Sequence, residues 1–478
     1  MRLSIGQIWQ ALPSAELLST GDNDAVISSL VWDSRQVLAG GGFLALVGER
    51  FDGNDFLDQA MAAGASLLLA SRRPDDQICQ KARERQVCLL LVADAERALG
   101  DIAQFWRGYL TASVIGVTGS SGKTTTKEMI GKVLGRRYRT QINPGNYNTL
   151  LGLPATILSC PLSAEMLVLE MGIQHRGEIR RYCEIAAPSF AVFTNIGLAH
   201  LETLGSQTAI AEAKAELLEA LPDQRGVAVL NADDPFTPYL LRYSHALKRQ
   251  LEVISYGLDS TAQARAAQIS LDERGCPSFQ LLLPTGSGKV QLQLPGVHNV
   301  SNALAAAALG WRLGVSADQI CQALSDTTAL ATRQELLSLP SGALILNDSY
   351  NANPDSMQAA LLTLASMTGC GPHLAVLGEM YELGPQGAAL HRQVGQVAAQ
   401  TAVDLLITVG ELAQEIAAGA RAAGLASQRI IQCADWPAAA SILIPRLQEP
   451  TVILVKASHS AGLDQLVVAL QAAVTAGE

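Results

Sequence analysis

The stretch Gly116–Met129 reads GVTGSSGKTTTKEM and follows a short apolar run. Its glycines allow backbone N–H groups to approach phosphate oxygens, and the helix predicted after it adds a positive dipole end. Lys123 would neutralise the β- and γ-phosphates of a nucleotide, and Thr124 would ligate Mg²⁺. Although Gly116 stands one residue away from its place in the usual G-x-x-x-x-G-K-[ST] pattern, the order strand, loop, GKT and helix favours a P-loop over an ordinary strand-to-helix turn. We expect the nucleotide phosphates to be bound by Gly119, Ser120, Ser121, Gly122, Lys123, Thr124 and Thr125.

A second Gly-Lys pair occurs in PTGSGKVQLQLPG, which begins at Pro284. Here Lys289 is followed by Val290, where a P-loop has Ser or Thr. The residues beyond alternate between apolar and polar, as in a strand. We therefore predict a hairpin turn in this segment and no phosphate site.

The composition is that of a well-buried globular protein. The 478 residues are 49% hydrophobic and 16% charged, which excludes a disordered chain. The net charge of −10 argues against nucleic acid and anionic membrane surfaces as partners. No apolar run is long enough to cross a membrane, and the N-terminal residues, in which Ser4, Gln7 and Gln10 interrupt any signal-peptide core, predict a short amphipathic helix. Eight scattered cysteines without a CxxC pair indicate reduced thiols, so we expect a cytoplasmic protein. We also expect the protein to act as a monomer.

Alternating apolar runs and helical segments predict an α/β fold of three domains. Residues 1–110 have a mixed α/β pattern, residues 111–329 predict a parallel sheet with helices, and residues 330–478 predict a smaller doubly wound domain. Strands of the central domain are predicted in SVIGVTG, EMLVLEMG, SFAVFTNIG and GVAVLNADD, and those of the last domain in ALILNDSYNANP, HLAVLGEM, DLLITVGE and TVILVKAS. Because ligands bind to such sheets at the carboxyl ends of the strands, the polar residues there are candidates for the functional site.

Three side chains near predicted strand ends are candidates for a metal site. Glu170 ends a buried strand, where a carboxylate is rare unless it is paired or bound to a metal. His200 follows another strand; alone it would more often be structural, but together with Glu170 and Thr124 it is a candidate ligand. Lys214 falls within the apolar stripe of its helix, so it either snorkels to solvent or points inward with a lowered pKa. A neutral amine can react with CO₂ to give a carbamate, an anion that could join the metal shell.

The residues after residue 300 offer further candidates, each with a simpler alternative. Asp348, Asn351 and Asn353 follow a strand directly and suit a ribose or a substrate backbone, or else an asparagine-rich turn. Asn302, at the start of an alanine-rich helix, could contact adenine or cap the helix. Arg333 lies at the junction of the second and third domains, where it could reach a phosphate or lie at the surface.

Five segments, in this order along the chain, resemble the ATP-dependent Mur ligases of peptidoglycan synthesis. They are GVTGSSGKTTTKEM, LEMG, TNIGLAHLETLGS with the following AKAE, GVHNVSNALAAAA and NDSYNANPDSM, and the resemblance extends from about Asp33 to Lys456. EMGIQHRGEI and SYNANPDSM are similar to the branch of the family that joins UDP-N-acetylmuramoyl-tripeptide to D-alanyl-D-alanine. WDSRQVLAGGGFLALVGERFDGNDF resembles the N-terminal domain that holds the UDP-sugar end of that substrate.

The resemblance implies an ATP-dependent amide ligase that acts through an acyl phosphate. It implies that Thr124 and Glu170 bind one Mg²⁺, that His200 and a carbamylated Lys214 serve a second Mg²⁺, and that closure of the domains brings Arg333 and Asp348 to the nucleotide. The catalytic residues would be Lys123, His200, Lys214 and Arg333. Asn302 would face adenine, and Ser34 and Arg35 would lie near the uridine. The remaining substrate contacts would come from Asn146, Asn351 and Asn353.

The chain departs from the family pattern at several positions. The family commonly has His where this chain has Asn54, and a K-G-S-R stretch where it has Lys456-Ala457-Ser458-His459. Tyr147 and Thr149 lie in a stretch that is usually richer in Asn. These departures concern contacts to the uridine and the incoming dipeptide, and they leave the ATP and metal positions unchanged.

Three other functions compete with this one. A sister ligase, of the folylpolyglutamate or cyanophycin type, would use the same chemistry on a different acid and amine. A P-loop switch or motor would hydrolyse its nucleotide without either substrate, and the set of Glu170, His200 and Lys214 argues against it. A catalytically inactive binding protein would not need an intact GKT and metal set.

Overall fold

The computed structural model of the chain describes residues 1–48, 50–369, 371–401 and 403–475. The chain divides into two structural units. The first comprises Met1–Ile115, Arg139–Met171 and Arg180–Pro188, and the second comprises Gly116–Tyr138, Gly172–Ile179 and Ser189–Glu478. The domain boundaries predicted near residues 110 and 330 stay predictions beside this division.

Strands occur throughout the described residues, and eight of them were predicted from apolar runs. They are β1 (Leu3–Ser4), β2 (Glu16–Ser19), β3 (Val26–Ile27), β4 (Leu30–Val31), β5 (Gly42–Leu44), β6 (Leu67–Ala70), β7 (Cys88–Leu91), β8 (Ser113–Thr118), β9 (Thr140–Ile142), β10 (Met166–Glu170), β11 (Phe190–Phe193), β12 (Val227–Asn231), β13 (Glu252–Gly257), β14 (Ala264–Leu271), β15 (Pro277–Leu283), β16 (Gly286–Gln291), β17 (Glu335–Ser338), β18 (Leu344–Asp348), β19 (His373–Gly378), β20 (Leu405–Val409), β21 (Ile430–Cys433) and β22 (Val452–Lys456). The eight runs predicted as strands in the central and last domains correspond to β8, β10, β11, β12, β18, β19, β20 and β22, so these predictions are confirmed.

The helices alternate with most of these strands. They are α1 (Ile5–Ala11), α2 (Leu57–Ala62), α3 (Asp76–Glu84), α4 (Ala95–Arg107), α5 (Lys123–Leu134), α6 (Gly152–Ser159), α7 (Glu178–Ala186), α8 (Leu201–Leu204), α9 (Gln207–Glu219), α10 (Thr237–Tyr243), α11 (His298–Arg312), α12 (Ala317–Ser325), α13 (Pro354–Ser366), α14 (Gly387–Gln400), α15 (Gln414–Ala422), α16 (Trp436–Leu443) and α17 (Leu463–Thr475). The predicted N-terminal helix is α1, and it begins where Ser4 Oγ accepts a hydrogen bond from the Gln7 backbone N–H.

The N-terminal part of the first unit contains a five-stranded sheet in the order β2-β7-β6-β5-β4. Strands β4 to β7 are parallel, and β2 runs antiparallel at the edge. Strand β6 reads LLLA and is buried throughout, as expected for a parallel strand covered on both faces. Its Leu68 packs in one core with Met61 of α2 and Ala82 of α3. The mixed α/β pattern predicted for this region is confirmed.

The rest of the first unit carries Glu170 at the end of a buried strand. Strands β9 and β10 are parallel, with Thr140 opposite Met166. The first residue of β8, Ser113, donates its backbone N–H to Glu165 O just before β10. Every residue of β10 is buried, so its last residue, Glu170, is a carboxylate held inside the protein.

In the second unit, strands β11 to β14 lie side by side in parallel, and β14, β15 and β16 continue as an antiparallel meander. The last residue of β8, Thr118, joins β11 because its carbonyl accepts from the Thr194 N–H. The second Gly-Lys pair lies in β16, where Lys289 is opposite Gln280 of β15. The prediction of a hairpin at this segment is therefore confirmed.

The second unit also contains a six-stranded sheet in the order β17-β18-β22-β19-β20-β21. All neighbouring pairs are parallel except β17 with β18. Buried side chains from β18, β19, β20 and β22 form one core with α16 and α17. This sheet is the predicted smaller doubly wound domain, and the predicted α/β class is confirmed.

None of the helices in the part of the chain that the structure describes is both long enough and apolar enough to span a membrane.

Candidate active site

The loop between β8 and α5 has two positions that only glycine tolerates. Gly119 has a φ of 154° and Gly122 a φ of 75°. A Cβ on Gly119 would lie 1.8 Å from Thr194 Oγ1, and one on Gly122 would lie 2.4 Å from Asn302 Oδ1. Helix α5 begins at Lys123, directly after this turn. The order strand, glycine loop and helix that predicted a P-loop is confirmed.

Asn195 anchors the loop, although it was not among the residues predicted from the sequence. Its Oδ1 accepts hydrogen bonds from the Ser120 N–H at 3.1 Å and the Ser121 N–H at 2.9 Å. Its Nδ2 donates to Ser121 Oγ at 2.6 Å. Asn195 comes just after β11, so its position at the carboxyl end of a strand was the signal that could have identified it.

Two lysines converge on one carbonyl of the loop. Lys123 Nζ donates to Gly119 O at 2.8 Å, and Lys214 Nζ donates to the same oxygen at 2.9 Å. Lys214 is completely buried in α9, so it points inward and the snorkelling alternative is wrong. Burial, and secondly the charge of Lys123, hold the pKa of Lys214 well below its ordinary value. A buried amine with a lowered pKa is the form of lysine that reacts with CO₂.

Ser120 joins the loop to the segment after β11. Its Oγ donates to Gly197 O at 3.0 Å and accepts from the Gly197 N–H at 2.8 Å. The next N–H along, that of Leu198, donates to Asp355 Oδ2 of α13 at 3.1 Å. Asp355 is a further residue that the sequence analysis missed, although it belongs to the quoted segment NDSYNANPDSM.

His200 stands at the start of α8, with its backbone in the left-handed region at a φ of 61°. Its Nδ1 lies 2.5 Å from Glu382 Oε2. This contact has the distance of an ion pair but not the angle of a hydrogen bond. Glu382 comes from the turn after β19, and no feature of the sequence had singled it out.

Asp348 and Arg333 both have partners in the C-terminal region. The Asp348 carboxylate is buried and accepts from Lys456 Nζ at 2.6 Å. The Arg333 guanidinium lies 3.7 Å from the centre of the Tyr350 ring, and Tyr350 stacks on His459 with 5.8 Å between ring centroids. Arg333 is half-buried, so the alternative of a plain surface arginine does not describe it.

The two predicted asparagines after β18 differ in their roles. Asn353 caps α13, because its Oδ1 accepts from the Ser356 N–H at 2.8 Å. Asn351 is exposed, and its backbone carbonyl accepts from Lys456 Nζ at 2.9 Å. Both line the cavity described below, so a contact with substrate stays a prediction for each.

Asn302 lies within α11, which begins at His298, so the alternative that it caps this helix is wrong. Its Oδ1 accepts from Thr126 Oγ1 of α5 at 3.2 Å, and its Nδ2 donates to Asn299 Oδ1 at 2.9 Å. Asn302 therefore lies directly against the glycine loop. Its contact with adenine stays a prediction.

Glu170 in the first unit is hydrogen-bonded to two asparagines of the loop before α6. Its Oε1 accepts from Asn148 Nδ2 at 2.8 Å, and its backbone N–H donates to Asn143 Oδ1 at 2.9 Å. Asn146, the residue that the sequence analysis named in this loop, is exposed. Asn146 was predicted as a substrate contact, and that role stays a prediction.

The predicted uridine residues lie in the N-terminal part of the first unit. Ser34 is buried and donates to Gln59 Oε1 at 2.9 Å. Arg35 is exposed and pairs with Asp33, whose pKa this partner lowers to about 2. Asn54, where the family commonly has His, is buried, and its Oδ1 accepts from the Ser71 N–H at 3.0 Å. The departure at Asn54 is therefore a well-bonded residue that holds the loop around it.

A cavity of about 280 Å³ in the second unit brings together several of the predicted residues. Its lining includes Ser120, Lys123, His200, Asn351, Asn353 and His459. The P-loop and His200 therefore line the same cavity as His459, which is one of the departures from the family pattern. Lys214 is packed beneath the loop and does not line this cavity.

The residues predicted to bind Mg²⁺ have suitable chemistry. In the described part of the chain, no three or more His, Cys, Asp or Glu side chains are grouped so that they could hold a metal ion. The predicted set is of another kind, since it combines a hydroxyl, one carboxylate, one imidazole and a lysine. The Thr124 hydroxyl and the Glu170 carboxylate are hard oxygen donors of buried residues, which is what Mg²⁺ prefers.

Three family models match this chain. The Mur ligase middle domain matches residues 117–310, the Mur ligase glutamate ligase domain matches residues 332–459, and the Mur ligase family catalytic domain matches residues 26–107.

Individual proteins are similar to the chain over nearly its whole length. It is 37% identical over 454 residues to the UDP-N-acetylmuramoyl-tripeptide--D-alanyl-D-alanine ligase of Escherichia coli (strain K12), and the matched region covers 94% of each chain. Among solved structures, it is similar to MurF from Acinetobacter baumannii, with a TM-score of 0.86, 31% identity and 99% of each chain covered. It is also similar to MurF ligase from Thermotoga maritima in complex with ADP, with a TM-score of 0.80, 28% identity, and 96% of this chain and 99% of that chain covered.

Proposed function

Because this chain belongs to the Mur ligase family, we propose that it uses ATP to join D-alanyl-D-alanine to UDP-N-acetylmuramoyl-tripeptide. The product would be UDP-N-acetylmuramoyl-pentapeptide for peptidoglycan synthesis. The observation that carries the ATP chemistry is the convergence of Lys123 and Lys214 on Gly119 O in a P-loop. The choice of acid and amine is supported by the similarity, along nearly the whole chain, to ligases with this activity.

The reaction would proceed in two transfers. An oxygen of the tripeptide carboxylate attacks the γ-phosphorus of ATP, and the bond from that phosphorus to ADP breaks. The dipeptide amine then attacks the acyl phosphate carbon, the bond to phosphate breaks, and the amine loses a proton. Lys123 supplies positive charge where the phosphoryl group passes, and its location at the cavity wall supports this role.

We propose Thr124 and Glu170 as ligands of one Mg²⁺, and His200 with carbamylated Lys214 for a second. Bound Mg²⁺ neutralises phosphate charge. The lowered pKa of Lys214 supports carbamylation, in which the neutral amine adds to CO₂ and releases one proton. The carbamate keeps one N–H, which is enough to retain the bond to Gly119 O.

The remaining roles are proposals on the family resemblance. Nucleotide contacts are assigned to Asn302, Arg333 and Asp348, and substrate contacts to Ser34, Arg35, Asn146, Asn351 and Asn353. We also propose the three domains at 1–110, 111–329 and 330–478, and a cytoplasmic monomer. Free, buried cysteines such as Cys88, Cys160 and Cys433 support a reducing compartment.

The deciding experiment measures ADP release by the purified protein with ATP and Mg²⁺, adding UDP-N-acetylmuramoyl-tripeptide and D-alanyl-D-alanine singly and together. We expect release only with both, and a pentapeptide product by mass spectrometry. Tripeptides carrying diaminopimelate or lysine at the third position would identify the natural acid. Release without either substrate would indicate a plain NTPase, and release only with another acid and amine would indicate a sister ligase.

A further inference from the structure

Two residues with strained backbones are in contact, one in the segment matched by the middle-domain model and one in the segment matched by the C-terminal model. His200 has a φ of 61° and Glu382 a φ of 62°, and neither is glycine. Such conformations are unfavourable for side-chain-bearing residues and persist where the surrounding structure enforces them, often at functional sites. His200 lies within the middle-domain match at 117–310, and Glu382 lies within the C-terminal match at 332–459.

Side chains and backbone both connect these two residues. His200 Nδ1 lies 2.5 Å from Glu382 Oε2. Two residues further along, the Glu202 N–H donates to Glu382 O at 3.0 Å. Gly384 follows so closely that a Cβ there would lie 3.2 Å from Glu202 Cα. The turn therefore meets the start of α8 at a defined position.

The turn that presents Glu382 is itself held by the C-terminal region. The Met380 N–H donates to Nε2 of the buried His391 at 3.0 Å. The Tyr381 N–H donates to Ser458 Oγ at 3.0 Å, just after β22. These bonds fix the backbone on the N-terminal side of Glu382, so its carboxylate reaches His200 from a rigid support.

We propose that Glu382 is a positioning residue for His200, which turns the imidazole so that Nε2 is free to act at the phosphate and metal site. A carboxylate beside one ring nitrogen sets the tautomer and orientation of a histidine and leaves the lone pair on the other nitrogen. Because His200 and Glu382 come from segments matched by different domain models, the site is complete only when these two segments are together. The inference rests on the role of His200 in the proposed function.

The test compares Glu382→Ala and Glu382→Gln with the matched control Glu202→Gln. Glu202 is exposed in the same contact, so its variant removes the same charge and leaves Glu382 in place. The first readout is Mn²⁺ binding to the full chain with ADP present, measured by electron paramagnetic resonance. We expect Glu382→Ala to weaken Mn²⁺ binding by about tenfold or more, in the range of other residues that orient metal-bound histidines. Glu382→Gln should keep part of the affinity, because its amide oxygen can still lie beside Nδ1 without the negative charge, and Glu202→Gln should match the wild type.

Kinetics supply the second readout. Glu382→Ala should lower kcat by about tenfold while the KM for ATP at saturating Mg²⁺ stays unchanged. Thermal unfolding of each variant reports whether it is folded. If Glu382→Ala is not folded, the Mn²⁺ affinity of Glu382→Gln is compared with that of the wild type in its place. Unchanged Mn²⁺ affinity in a folded Glu382→Ala variant would overturn the inference.

A double-mutant cycle tests whether Glu382 acts through His200. In a His200→Ala background, Glu382→Ala should have no further effect on Mn²⁺ binding. A full additional loss in that background would overturn the inference, since Glu382 would then act independently. If the wild type fails to release ADP with both substrates, the proposed function is wrong, while the Mn²⁺ cycle still decides whether Glu382 positions His200.

Discussion

Two glycine-rich segments of this chain contain a Gly-Lys pair, and they have different structures. Around Lys123 the chain leaves a buried strand, turns through Gly119 and Gly122 and enters α5. Around Lys289 it runs within the antiparallel strand β16. The composition of the two segments is similar, so the difference comes from their neighbours. Thr124 and a helical sequence follow the first pair, whereas Val290 and an alternating sequence follow the second.

The largest expected effect separates the two lysines. Lys123→Ala should reduce ADP release in the full reaction by about a hundredfold or more, because charge at the transferring phosphoryl group is lost. Lys289→Ala, in the hairpin, should leave turnover within a factor of two of the wild type. Steady-state rates with ATP and both substrates measure this, with circular dichroism to show that both variants are folded. Near-normal turnover of a folded Lys123→Ala variant would remove the main argument for a P-loop.

One glycine from each segment allows the packing around the two segments to be compared. Gly119 and Gly286 have nearly the same φ, 154° and 159°. An added Cβ would lie 1.8 Å from Thr194 Oγ1 at Gly119, but 3.4 Å from its nearest neighbour, Ala317 Cβ, at Gly286. Gly286→Ala should therefore lower the free energy of unfolding by about 1–3 kcal/mol from backbone strain alone. Gly119→Ala should lose more stability than this, together with ATP-dependent activity. Denaturant unfolding measures both variants, and equal losses would show that the close approach to Thr194 carries no extra energy.

The ionisation of a buried lysine distinguishes the two segments at high pH. Lys214 lies under the first segment, and burial lowers its pKa below 10.5, so between the lowered value and 10.5 the unfolded state binds a proton that the folded state does not. The free energy of unfolding contributed by Lys214 therefore rises with pH in this interval, by up to about 1.4 kcal/mol per pH unit. Lys214→Met should lose this rise, whereas Lys289→Met should retain it. Unfolding in urea from pH 7 to 10, in CO₂-free buffer, measures the slopes. The same slope in Lys214→Met and the wild type would contradict the prediction.

The smallest expected effect concerns the residues that support each segment. Asn195→Ala removes the acceptor of two loop N–H groups, so the loop should be less ordered before ATP binds. We expect the KM for ATP to rise about fivefold, which corresponds to about 1 kcal/mol. Gln280→Ala, opposite Lys289 in the hairpin, should leave this KM unchanged. If both variants have the wild-type KM, Asn195 has no part in ordering the loop.

The sequence was sufficient for features that depend on local pattern. The apolar runs that form β8, β10, β11 and β12 could be predicted because strands buried in a parallel sheet are continuously apolar. Lys214 was recognised as an inward-facing candidate from the helical spacing of its apolar neighbours. Asn302, by contrast, was left between two roles, because its position within α11 depends on where the helix begins.

Contacts between distant segments could not be predicted in this way. Asn195 reaches Ser120 and Ser121 across two neighbouring strands, and Glu382 reaches His200 from a turn nearly two hundred residues further along. The bond from Asn148 to Glu170 could not be predicted either, because the direction of a side chain in a loop depends on backbone turns that composition does not specify.

By itself, the sequence determined the P-loop, the α/β class, the hairpin character of the second Gly-Lys segment and the membership of a ligase family. The first three follow from spacing and residue type, which act between neighbours in the chain, whereas the family was indicated by the resemblance of five segments to the Mur ligases. Only the tertiary structure decided that Lys123 and Lys214 share one carbonyl, that Lys456 neutralises Asp348, and that Glu382 faces His200. The physical reason is that burial and electrostatics depend on distances in space, and those distances are established only when the sheets and helices have packed together.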